Sequence, residues 1–108
     1  MRMWLGVKPK ELCRAHLLGE HRELHAFTGI LRKGHSVEGY RGLINPNMIL
    51  ARHEALVREM LARGYNHWSP LHSLPELLPD LGRVDPAKSR RELFQRCAQC
   101  RARQQFTR

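Results

Sequence analysis

Apolar residues recur at helical spacing in three separate stretches of this chain. In the first, Leu12, Cys13, Leu17, Leu24, Phe27, Ile30 and Leu31 share one face when residues are set at about 100° intervals. That periodicity predicts a long helix, opened by Pro9 in its first turn and running to about Lys33, with Gly34 as its stop. In the second, Ile49, Leu50, His53, Leu56, Val57, Met60 and Leu61 repeat between an Asn45-Pro46 start signal and a Gly64 stop. Asp85-Pro86 repeats the start signal, and Leu93, Phe94, Cys97 and Ala98 supply the inner stripe of a third helix.

The intervening segments lack such order. Residues 34–45 are a glycine-containing connector, and residues 65–82 carry Pro70, Pro75 and Pro79, which restrict helix to short turns. Irregular segments of that length are often functional, which draws attention to Tyr65, Asn66, His67, Trp68 and His72. No stretch alternates with the period of a strand. The pattern predicts an all-α fold: a small single domain, residues 1–108, of three main helices joined by long irregular connectors.

The first helix carries an anomaly. His16, Glu20 and Glu23 point into its apolar sector, where two carboxylates and an imidazole cost free energy unless something pairs with them. Such groups mark a candidate site.

Charge narrows the partner. Nineteen Lys and Arg against ten Asp and Glu leave the 108-residue chain at +9 with histidine neutral, and the pI is near 10.5. That surplus favours polyanions, nucleic acid before an anionic membrane surface. Three cysteines do not make a disulfide framework and fit a reducing cytoplasm. Lys8-Pro9-Lys10 interrupts the N-terminal stretch before a signal-peptide apolar region develops, and no apolar run is long enough for a membrane span.

The string Glu11-Leu12, His16-Leu17, Glu20, Arg22-Glu23-Leu24, Phe27, Gly29, Arg32-Lys33 resembles the active helix of the pyrimidine-dimer DNA glycosylase family, the phage-type endonuclease V enzymes. Leu61-Ala62-Arg63-Gly64-Tyr65-Asn66 is similar to the end of that family's second long helix, so the likeness covers roughly the first seventy residues. The resemblance implies a DNA-repair N-glycosylase with a linked abasic-site lyase activity and no metal or other cofactor. In the family an N-terminal α-amine attacks the sugar C1′, the base leaves, an imine forms, and β-elimination breaks the strand.

Position by position, the resemblance assigns Met1 as the nucleophile and Glu23 as the assisting carboxylate. Met1 holds this place because its removal ahead of the bulky Arg2 is not expected. Arg2 matches the arginine beside the nucleophile, His16 a histidine near the damaged nucleotide, and Arg22 the arginine of the arginine–glutamate pair. Glu20, Arg32 and Lys33 are supporting or DNA-binding candidates. The family's second phosphate-facing arginine falls at His25-Ala26, where only histidine can substitute, and its aromatic tail is replaced by a basic stretch, Gln95 to Arg108. The implied partner is double-stranded DNA containing damaged pyrimidines or abasic sites, met by a monomer in the cytoplasm, at the nucleoid.

Each residue also has a plainer reading. Glu23 on periodicity alone is a surface carboxylate paired with a basic neighbour, Glu20 a salt-bridge partner, and His16 a packed histidine. Arg22, Arg32 and Lys33 read as a solvated face but for the net charge. Trp4 and Trp68 read as core or interface anchors, and His53 as a satisfied core histidine. Cys97-Ala98-Gln99-Cys100 has metal-ligand spacing without a second pair or histidines at companion spacing, so no metal site is expected, and His67 and His72 stay candidate ligands with no firm pattern behind them. Two alternatives therefore stand beside the glycosylase: a non-catalytic nucleic-acid-binding protein on the same scaffold, and a metal-dependent hydrolase using histidines and cysteines.

Overall fold

A computed structural model describes residues 2–65, 70–71 and 73–106. Met1, Asn66, His67, Trp68 and His72, singled out above, lie outside the described residues. The described elements are helical throughout: α1 (Arg14–Arg32), α2 (Ile49–Ala62), α3 (Pro86–Arg96) and α4 (Ala98–Phe106), with short 3-10 turns at Pro9–Glu11, Glu38–Tyr40 and Pro46–Met48. The all-α expectation is met, with the third helix divided in two.

The first helix begins five residues later than its apolar periodicity predicts. Leu12 and Cys13 are extended, at ψ 136° and 166°. Arg63, at the end of α2, donates to the carbonyls of Pro9 and Leu12 at 3.1 and 2.7 Å, taking up acceptors that a continuous helix would use itself. Its C-terminus behaves as expected. Gly34, at φ +75°, donates to the Leu31 carbonyl and His35 to the Ile30 carbonyl, and Gly64 and Tyr65 close α2 through Leu61 and Met60 in the same way. Both ends are Schellman motifs, in which a glycine takes the left-handed conformation that a Cβ penalises.

The start of α2 is entered through the Pro46–Met48 turn rather than through a cap, since Asn45 makes no side-chain capping bond. Asp85 does cap α3, its Oδ1 accepting from the backbone of Ala87 at 3.0 Å and Lys88 at 3.2 Å. Helix α3 ends because Cys97 is extended, φ −120° and ψ 104°. This break turns the inner stripe: Leu93 and Cys100 are buried, Phe94 and Cys97 half-buried, and Ala98 exposed.

Helix α1 packs on α2, and α4 packs on α3 and on the turn at Pro9–Glu11. Leu17, Leu24 and Phe27 of α1, Ile49, Leu56 and Met60 of α2, and Leu93 and Cys100 of the last two helices join one buried cluster with Met3, Trp4 and Val7 from the N-terminal segment. Leu50 and Leu61, assigned to the apolar stripe of α2 by spacing, are exposed. Among the described residues, no helix is long and apolar enough to cross a membrane.

Candidate functional site

The ionisable groups on the apolar side of α1 have separate fates. Glu20 is completely buried and held by Arg52 of α2 in a two-point ion pair, Nε to Oε2 at 2.5 Å and Nη2 to Oε1 at 2.9 Å. Arg52 also donates to the Val7 carbonyl at 2.8 Å, so this pair ties α1, α2 and the N-terminal segment together. With both carboxylate oxygens occupied, Glu20 is a strut between helices.

Glu23, one turn on, is half-buried, and the Tyr40 hydroxyl lies beside its carboxylate. Burial, together with the neighbouring Glu23 carboxylate, raises the Tyr40 phenol above its ordinary value, so it stays protonated at neutral pH. Phe27 fixes the Tyr40 ring edge to face at 5.1 Å. Past Tyr40 the chain folds back, Leu43 and Ile44 donating to the Tyr40 carbonyl at 2.8 and 3.1 Å, and the Leu43 carbonyl accepts from Met3 at 2.9 Å. One short segment, residues 40–44, thus reaches both the Glu23 carboxylate and the N-terminal segment.

Arg2 and His16 meet at a cavity of about 570 Å³ lined also by Trp4, Ala15, Leu43 and Arg96. The Arg2 guanidinium lies over the Trp4 ring, 4.2 Å from its centroid, and pairs with Glu92 of α3. Arg2 holds the Glu92 carboxyl below its usual range, although burial opposes the effect. Trp4 is 7% exposed and its ring stands nearly perpendicular to that of His16, centroids 5.9 Å apart, so it is the core anchor expected and also a wall of the cavity. His16 Nδ1 lies 3.2 Å from the Cys13 sulfur and 3.6 Å from that of Cys100.

The basic candidates are exposed. Arg22 stands next to Glu23 on α1, and Arg32 and Lys33 occupy the end of that helix. Other arginines are engaged internally: Arg52 with Glu20, Arg63 with Glu59, and Arg90 with Glu11. His25 does not project as a stand-in for a phosphate-facing arginine. Its Nε2 is 3.2 Å from that of fully buried His53, and both rings lie against His21, at 4.6 and 5.0 Å. His53 is thereby the satisfied core histidine expected, with Nδ1 also 3.3 Å from Glu54.

Sequence reasoning missed Tyr40, Arg52, Glu92 and Arg96. None of them sits in a motif. Only the helical phase of Arg52, on the inner side of α2 and opposite an unexplained buried carboxylate, was a usable signal.

Fold and site together define a strongly basic, all-α protein that sets a supported carboxylate and an exposed arginine side by side on one helix. A family model described as pyrimidine dimer DNA glycosylase matches residues 1–73, and the chain belongs to that family. Membership makes it a DNA-repair protein of the glycosylase type, with DNA as its substrate. No curated relative and no solved structure matches the chain. Helices α3 and α4 lie beyond the matched residues.

Proposed function

We propose that the protein removes the base at pyrimidine-dimer-type lesions and then cleaves the strand, with the α-amine of Met1 as nucleophile and Glu23 as the assisting carboxylate. The observation that carries this reading is the common support of the two ends of the chemistry. Tyr40 sets its hydroxyl beside Glu23, and the Leu43 carbonyl, three residues later, accepts from the Met3 backbone, two residues from the amine. An unperturbed α-amine titrates at about 7.7–8.0, so a useful fraction is unprotonated near neutral pH, unlike a lysine.

The unprotonated amine forms a bond to C1′ as the glycosidic bond breaks, and the base departs with that electron pair. Opening of the sugar ring and loss of the amine proton give the imine. The Glu23 carboxylate stabilises the positive charge that develops at the sugar. It then accepts the C2′ proton, and the C3′–O bond breaks to expel the phosphate-bearing end of the strand. Water hydrolyses the imine and restores the amine. Arg22, Arg32 and Lys33 hold phosphates, and Arg2, stacked on Trp4, flanks the nucleophile.

Borohydride reduction during reaction with abasic-site duplex DNA tests this reading. A stable adduct is expected, and mass spectrometry should place the DNA on the α-amine of Met1. Absence of an adduct, or an adduct on a lysine alone, removes Met1 from the mechanism.

A further inference from the structure

We infer that Cys13, His16, Cys97 and Cys100 form a tetrahedral zinc site that fastens the last two helices to the start of α1. Each of these residues offers one ligand atom, and the four atoms lie within 4.8 Å of one another. The inference is independent of the glycosylase mechanism, since none of its supporting observations involves DNA or the amine.

The distances match the coordination. Zinc–sulfur bonds of about 2.3 Å and zinc–nitrogen bonds of about 2.0–2.1 Å at tetrahedral angles place sulfurs about 3.8 Å apart and sulfur and nitrogen about 3.6 Å apart. The Cys13 and Cys97 sulfurs are separated by 3.8 Å, and His16 Nδ1 lies 3.6 Å from the Cys100 sulfur and 3.2 Å from that of Cys13. All three cysteines are free thiols, and that 3.8 Å separation is well beyond a disulfide bond of about 2.05 Å.

The backbone is arranged for the same end. Cys13 is the extended residue before α1 and His16 the third residue of that helix; Cys97 is the extended residue before α4 and Cys100 its third. The two pairs thus occupy the same positions on their helices, which aims both pairs of ligand atoms at one point. This is the second pair that Cys97-x2-Cys100 lacked as a sequence signal: its companion is Cys13-x2-His16, mixed in ligand type and more than eighty residues distant. Two backbone amides already point at sulfur, Cys13 to the Cys100 sulfur at 3.2 Å and Cys100 to the Cys97 sulfur at 3.4 Å. Backbone N–H groups aimed at ligand sulfurs are the outer partners that orient the ligands of a metal site. The break that divides the predicted third helix at Cys97 is the bend that brings its sulfur inward.

Four protein ligands complete the coordination and leave no open position for a reacting water, so the metal is structural. Binding one Zn²⁺ converts three thiols to thiolates, with release of three protons per ion when all begin protonated. The site joins residues inside the family match, 13 and 16, to residues beyond it, 97 and 100. His16 accordingly serves the metal through Nδ1 while its ring packs nearly perpendicular to Trp4 at the cavity.

The experiment uses the full untagged chain purified under reducing conditions and equilibrated with zinc chloride. Elemental analysis after dialysis should give about one zinc per chain, the stoichiometry of a closed four-ligand site. Replacement by cobalt(II) should give thiolate-to-cobalt charge-transfer bands and the intense visible bands of tetrahedral coordination. Paired substitution Cys97→Ser with Cys100→Ser should abolish both signals, while His16→Cys should retain the metal. His25→Asn, in the separate cluster of His21, His25 and His53, should leave the zinc content unchanged. Wild-type protein that retains no zinc, cobalt spectra without thiolate bands, or zinc that survives the paired cysteine substitution overturns the inference. The wild-type cobalt spectrum decides the matter even if the cysteine variants fail to fold.

Discussion

Glu20 and Arg52 meet face to face between α1 and α2, two nitrogens on two oxygens, with the carboxylate wholly buried and the arginine 8% exposed. Removing one member of such a pair leaves the other charged and without compensation, at a cost of about 3–5 kcal/mol. Glu20→Gln should lose stability on that scale in urea denaturation. Under conditions where the variant is folded, its strand cleavage should remain within a fewfold of wild type. A large loss of cleavage in folded protein would return Glu20 to the chemistry.

Glu23 is expected to behave in the opposite way. Glu23→Gln should fold and bind DNA nearly as wild type does, while cleavage of lesion-containing DNA falls by roughly two or more orders of magnitude, the scale of a positioned acid–base group. Undiminished cleavage in gel assays would make Glu23 a helix residue only.

Tyr40→Phe removes the hydroxyl beside the Glu23 carboxylate and keeps the ring that Phe27 packs against. Hydrogen bonds to charged groups contribute about 1.5–3 kcal/mol, so single-turnover cleavage should slow roughly ten- to hundredfold if the bond sets the carboxylate for the transition state. DNA affinity should not change. Equal losses in binding and cleavage would point to general disruption of the 40–44 segment.

The pairing of Arg2 with Glu92 carries a pH dependence. Arg2 lowers the Glu92 carboxyl below its ordinary value, so the stabilisation is fully present above the normal carboxylate range and is lost as pH falls through the lowered value. Wild type should melt above Glu92→Gln at neutral pH, and the gap should narrow in increasingly acid buffer. A gap that stays constant across this range contradicts the assignment.

If Arg22, Arg32 and Lys33 contact phosphates, log K for duplex DNA should fall by about 0.9 per neutralised phosphate per decade of salt. An alanine at one of these positions should flatten the slope by about one contact and weaken intact and damaged DNA alike. An unchanged slope in all three variants takes the exposed side of α1 out of the DNA interface.

What the chain determined by itself is local. Apolar spacing located the helices, Gly34 and Gly64 their ends, Asp85 a cap, and the ordered set from Glu11 to Lys33 the family, since each signal lies within a few turns of helix. Tertiary structure decided what each polar group on α1 faces. Glu20 and Glu23 lie about 60° apart around the same side of the helix, yet one is covered by Arg52 and the other is met by Tyr40 from a connector. Periodicity places a side chain on a face and is silent about what packs against that face. The break before α1 depends on Arg63 and the bend at Cys97 accompanies a cluster of sulfurs and imidazole, both assembled from residues more than fifty positions apart. Contacts at such separations exist only once the helices have packed, and so no local pattern announced them.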